Sequence, residues 1–119
     1  MNKLLKKLKE KGNDTEGALN RFSADENLYL SLLPYAIEEK TYKELGFSLE
    51  EGNKKDSFEY AHNLKGMLGN MGLTKMYDAI CLIVERLRKG VIDEDTKKNY
   101  RLLIAEKDII EEIISEKYI

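Results

Sequence analysis

Apolar residues recur along this chain in steps of three and four, and no segment alternates in steps of two. Leu73, Met76, Tyr77, Ile80, Val84 and Leu87 share one face of a helix, with Lys75, Asp78, Glu85, Arg86 and Lys89 on the others. Tyr100, Leu103, Ile110, Ile113 and Ile114 mark a second such face, and Leu28, Leu32, Tyr35, Tyr42, Leu45 and Leu49 a third. A half-buried strand needs every second residue apolar, a helix every third or fourth, so the fold class is expected to be all-α. At 119 residues the chain is long enough for one domain with a real core and short for two.

Breaks in the pattern mark the elements. The opening MNKLLKKLKEKG sets Leu4, Leu5 and Leu8 among lysines, and is expected to pack across one end of the domain rather than lie on a membrane. Residues 12–14 interrupt it, and DTEGALNRF offers one or two turns with Ala18, Leu19 and Phe22 inward. Ser23 followed by Glu26 fits a capping box, in which hydroxyl and carboxylate each satisfy a free backbone N–H. One long helix is predicted from there to about residue 51, bent or split near Leu33 by Pro34 and weakened again at Gly46. EGNKKD, 51–56, reads as a polar loop, and a helix follows from 55 to about 71. Gly72 closes it in the left-handed conformation and Leu73 opens the next helix at once, so the two are antiparallel neighbours. Gly90 ends the helix over 73–89, and acidic residues at 93–95 start the last, where the helix dipole favours them. The expected architecture is an antiparallel up-down-up-down four-helix bundle over 23–119, with an N-terminal helical cap, 1–22, folded over one end of this single domain.

A formal charge of −2 gives no overall field to draw nucleic acid or an anionic membrane. Cys81 stands alone and cannot form an internal disulfide; at the edge of its stripe it reads as a small buried hydrophobe. No cysteine and histidine cluster has metal-ligand spacing, no apolar run has bilayer length, and the N-terminus has no signal-peptide core. These readings describe a soluble cytoplasmic monomer without a metal, with partner choice left to local features.

The one histidine lies in AHNLKGMLGNMG, 61–72, a stretch that reads as helix yet holds three glycines. At about 100° per residue, Tyr60, Leu64, Met67, Leu68 and Met71 form the apolar stripe, Ser57 and Ala61 its edge, and His62 points almost directly away. Gly66 and Gly69 follow one and two turns later on the same outward face, each costing the helix about 1 kcal/mol relative to alanine. Solvated helix faces ordinarily carry Lys, Glu or Gln, so a bare surface beside the imidazole suits the close approach of a partner's backbone or a bulky anion. Lys65 can swing its ammonium toward that anion, and Phe58, one turn before His62, offers an apolar contact or packs under a neighbouring short helix.

A solvated imidazole is largely neutral at cellular pH, and its unprotonated nitrogen is a nucleophile that needs no general base. The chemistry these residues suit is phosphoryl transfer through a phosphohistidine, with Lys65 neutralising the group and Gly66 leaving room for it. No glycine-rich phosphate loop, Mg²⁺-binding carboxylate cluster or nucleotide fingerprint is present. The expectation is a phosphoryl carrier, not an enzyme that draws on ATP.

AHNLKGMLGNMGL resembles the signature of the histidine-containing phosphotransfer (HPt) domain, here carried by Ala61, His62, Leu64, Lys65, Gly66, Asn70 and Gly72. RFSADENLYLSLLPYAIEE is similar to the stretch that opens the family's first bundle helix, and LEEGNKKDSFEYAHNLKG to its loop and spacing, so the resemblance covers nearly the whole chain. It implies an intermediate of a two-component phosphorelay. His62 would take a phosphoryl group from the phosphoaspartate of one response-regulator receiver domain, such as that of a hybrid sensor histidine kinase, and pass it to the aspartate of another. Lys65 and Gly66 would support the group, and Gly69 and Asn70 would fall on the docking side or the helix end; Phe58 and Glu59 are read as further partner-binding positions. Mg²⁺ would belong to the receiver, with no cofactor in this chain. Val84, followed by Glu85, stands where the family often has an acidic residue; in related chemotaxis kinases a glutamate of this region contacts the histidine, so Val84 argues against a kinase-substrate role. The alternative is an HPt-like module that docks on a receiver without being phosphorylated, against which His62, Lys65 and Gly66 together argue. A phosphohistidine hydrolase would need a second catalytic group near His62, which the sequence does not offer.

Overall fold

The computed structural model describes residues 2–116, so Met1 and residues 117–119 of the expected domain lie outside the described residues. Among them are seven α-helices and no strand: α1 (Lys3–Glu10), α2 (Thr15–Arg21), α3 (Glu26–Ala36), α4 (Glu39–Glu50), α5 (Lys54–Asn70), α6 (Thr74–Arg88) and α7 (Glu94–Glu116). The fold class is all-α. Helix α4 packs on α5, α5 on α6, α6 on α7, and α7 returns to α4; α1 leans on α7 and α2, α2 on α3, and α3 on α5. One contiguous core joins these elements, with Leu45, Leu64, Leu68, Ile80, Ile83 and Leu103 fully buried, each such side chain contributing about 2 kcal/mol. No described helix is long and apolar enough to cross a membrane.

Glycine closes four of these helices. Gly72 shows how: at φ +66° it lets Leu73 N–H donate to the Leu68 carbonyl while its own N–H donates to that of Gly69, so the chain turns within two residues of the end of α5. The same left-handed backbone follows α1, α4 and α6 at Gly12, Gly52 and Gly90.

The segment before α5 departs from the sequence reading in three ways. Asp25, not Ser23, caps α3, its carboxylate accepting from Leu28 N–H at 3.0 Å. Ser23 and Ala24 are in left-handed backbone, forming the tight reversal after α2, and Ser23 is thereby too early to reach the helix start. Second, the long helix divides into α3 and α4 at Ile37 and Glu38, about a turn later than expected; α3 runs through Pro34 and stops at Ala36. The Ala36 carbonyl, left without a helical donor, accepts the buried Tyr42 hydroxyl at 2.5 Å. Third, because the two helices are no longer in phase, α3 turns Tyr29, Leu33 and Ala36 to the core and leaves Leu28 and Tyr35 exposed.

Elsewhere the differences are smaller. The loop before α5 is only 51–53, because Asn53 caps at once: its amide oxygen accepts from Asp56 N–H while its amide nitrogen donates to the Asp56 carboxylate. Gly46 lies inside α4 where an added Cβ would collide with the Tyr100 ring of α7, whose hydroxyl donates to the Tyr42 carbonyl, so this glycine lets two helices approach. In α7 Tyr100 and Ile114 are half-buried, and Thr96 and Lys107 join Leu103, Ile110 and Ile113 as buried residues.

Candidate functional site

Helix α5 carries the site and is held along its inner face and at both ends. Ser57, Ala61, Leu64, Leu68 and Met71 form its buried stripe, so Ser57 and Ala61, read as its edge, are buried members of it, and Tyr60 and Met67 are half-buried. The Ser57 hydroxyl donates to the Ser48 hydroxyl of α4 at 2.8 Å, so the two buried polar groups satisfy one another across the helix contact. At the C-terminal end, Arg21 of α2 donates to the Gly69 and Asn70 carbonyls at 2.7 and 3.0 Å, and buried Tyr29 of α3 donates to the Met71 carbonyl at 2.7 Å. Burial pushes the Tyr29 phenol up to about 12, against a lowering by nearby Arg21. The Asp14 N–H reaches the Gly72 carbonyl at 2.9 Å, and Thr74 Oγ1 at 3.1 Å.

His62 is exposed on the opposite side of α5 and forms no hydrogen bond or ion pair among the described residues. Its ring stacks on Phe58, with centroids 5.7 Å apart and planes inclined by 13°. Helical side chains lean toward the N-terminus, which puts the imidazole over the turn that carries Phe58 and away from Gly66. The Arg88 guanidinium, at the end of α6, lies 6.0 Å from the centroid of the Phe58 ring. Arg88 was not singled out in the sequence; only the antiparallel pairing of α5 with α6 brings it here.

The two glycines read as one bare face differ. At Gly66 an added Cβ would meet open space; at Gly69 it would lie 3.0 Å from Tyr77 Cε1 of α6. On the helical wheel Gly69 lies within about 20° of Phe58, on the flank toward α6, and Gly66 about 80° away, facing outward. Gly69 is therefore a packing glycine, and the open surface is confined to Gly66. Lys65 is half-buried on the α6 flank with no ion pair among the described residues, and Glu59 and Asn70 are exposed. Phe58 is half-buried, engaged by His62 and packed against the core. Val84 is buried in the core and Glu85 exposed, so Val84 presents nothing to the imidazole. Cys81 is half-buried.

Beside the Gly66 and Asn70 surface lies a depression of about 300 Å³, mostly apolar, bordered by Phe22, Leu32, Tyr35, Met67 and Asn70. Tyr35, 67% exposed, stands at its rim. Among the described residues no three His, Cys, Asp or Glu side chains cluster as a metal ion would require. The arrangement comprises an exposed imidazole, a half-buried lysine three residues along the same helix, open space at Gly66 one turn after the ring, and an apolar depression beside Asn70. No family model matches the chain, and no curated protein or solved structure matches it.

Proposed function

We propose that this chain is a histidine phosphotransfer protein of a two-component phosphorelay, carrying a phosphoryl group on His62 between receiver-domain aspartates. The observation that carries the reading is His62 itself: exposed, without a hydrogen-bond partner among the described residues, and followed one turn later by the open space at Gly66. A buried histidine would lie out of reach of an acyl phosphate held by a second protein, and His62 is exposed. Lys65 supplies positive charge for the transferred group, and the depression beside Asn70 suits the apolar part of a receiver surface. Response-regulator receivers, among them that of a hybrid sensor kinase, are the partners, and their Mg²⁺ the only metal the reaction uses.

The reading extends to architecture. The closed succession of α4, α5, α6 and α7 supports an HPt-type antiparallel four-helix bundle, with the shorter helices gathered at the end where α5 turns into α6. The test is incubation with a phosphorylated receiver domain and Mg²⁺, followed by intact-mass measurement under alkaline conditions that preserve phosphohistidine. A gain of one phosphoryl group, absent in His62→Gln with unchanged melting temperature, is the expected result. No gain from receivers that nevertheless bind would replace the carrier with a docking module.

A further inference from the structure

Resting on the carrier reading, we propose that Phe58 is a positioning residue: its ring fixes the plane of the His62 imidazole, so that the reactive nitrogen is presented to a docked partner from the Gly66 side. Three observations converge on this. The rings lie nearly parallel at a separation typical of offset stacking. Phe58 is itself held from two directions, by the core beneath it and by the Arg88 guanidinium of α6, so it is a fixed platform rather than a loose neighbour. Gly66, one turn after His62, leaves open space, so a group approaching the ring edge from that side meets no side chain at that position.

The need for such a platform follows from the side chain. No hydrogen bond among the described residues orients the imidazole, and rotation about its Cβ–ring bond is broad and weakly restrained. In transfer, the lone pair of the unprotonated ring nitrogen forms the N–P bond while the P–O bond to the partner's aspartyl carboxylate breaks and its electron pair leaves on that carboxylate; the other ring nitrogen keeps its proton. That lone pair lies in the ring plane, so the plane must contain the line to phosphorus. A small donor in solution can come to the ring at any angle, whereas a docked receiver holds its phosphorus still. Orientation therefore matters for the protein partner and little for the small donor. This differs from the role of a partner contact, in which Phe58 would contribute affinity.

The test compares the full chain with Phe58→Leu and Phe58→Tyr. Ring-proton shifts and ring mobility of His62 are measured by NMR, phosphoryl uptake is followed from phosphoramidate, whose P–N bond breaks with loss of ammonia, and transfer is followed from a phosphorylated receiver whose affinity is measured separately. Phe58→Leu is expected to abolish the ring-current shift and free the imidazole, to keep phosphoramidate uptake within about twofold, and to slow docked transfer, measured at saturating receiver, about tenfold or more. Phe58→Tyr, which keeps the ring, restores all of these. A wild-type His62 without a ring-current shift, an equal slowing with phosphoramidate, or a loss of affinity at unchanged transfer rate would each overturn the proposal. Failure of the wild-type chain to be labelled by either donor is a separate outcome, which overturns the carrier reading and this proposal with it.

Discussion

An added Cβ at Gly66 meets nothing within 4 Å, and one at Gly72 collides with the backbone carbonyl of Asp14. Gly66→Ala should stabilise the chain by about 1 kcal/mol, because it removes the helical cost of glycine without a clash. Gly72→Ala should destabilise it by about 2 kcal/mol or more, because alanine resists the left-handed backbone and the collision pushes the residue 14 turn away. Urea midpoints of the two variants moving in opposite directions is the expected result; a Gly66→Ala variant less stable than wild type would mean that something packs on the open face. Alanine at 66 keeps most of the room beside the imidazole, whereas Gly66→Leu would fill it and should slow transfer without harming the fold.

At the scale of elements, helix starts decide where α5 and α7 begin, and both use side chains three residues apart. Asp93 accepts from Thr96 N–H at 3.0 Å and lies 3.7 Å from Arg86 of α6, tying the start of α7 to the end of its neighbour. The hydrogen bond from Thr96 N–H, then that from its hydroxyl and the charge of Arg86, outweigh partial desolvation and hold the Asp93 carboxyl below the usual carboxylate range. A carboxyl whose folded value is depressed contributes stability above its unfolded value and loses it as pH falls through the folded one. Asp93→Asn should therefore be less stable than wild type near neutral pH, and the difference should shrink as pH falls below the usual carboxylate range. Urea unfolding of both proteins across that range checks it, and a gap independent of pH would mean that the cap does not act through charge.

Across the whole molecule, the N-terminal segment is an integral part of the core. Leu5 and Leu8 are fully buried where α1 meets α7 and α2, while Lys7 reaches only the exposed ion pair with Glu116. Leu8→Ala should cost about 3 kcal/mol through the lost contacts and the cavity left behind, and Lys7→Ala less than about 1 kcal/mol because solvent screens the pair. Thermal melts of the two variants distinguish a packed α1 from one held by charge. Much of this was legible in the residues: the helices on either side of Gly12, Gly72 and Gly90 follow from apolar spacing and those breaks, whereas the separate α3 and α4 do not, and the outward direction of His62 follows from the stripe of its own helix. Each of these depends on neighbours within a few positions along the chain, where helical geometry converts spacing into direction without reference to anything else. The phase of α3, the separate duties of Gly66 and Gly69, and the arrival of Arg88 over Phe58 depend on which helix lies alongside, and a periodic pattern carries no information about the neighbour. The sequence by itself thus determined most of the helices and turned His62 toward solvent, because both depend on spacing within one helix; only the tertiary packing divided α3 from α4, seated Gly69 against Tyr77 and brought Arg88 over Phe58.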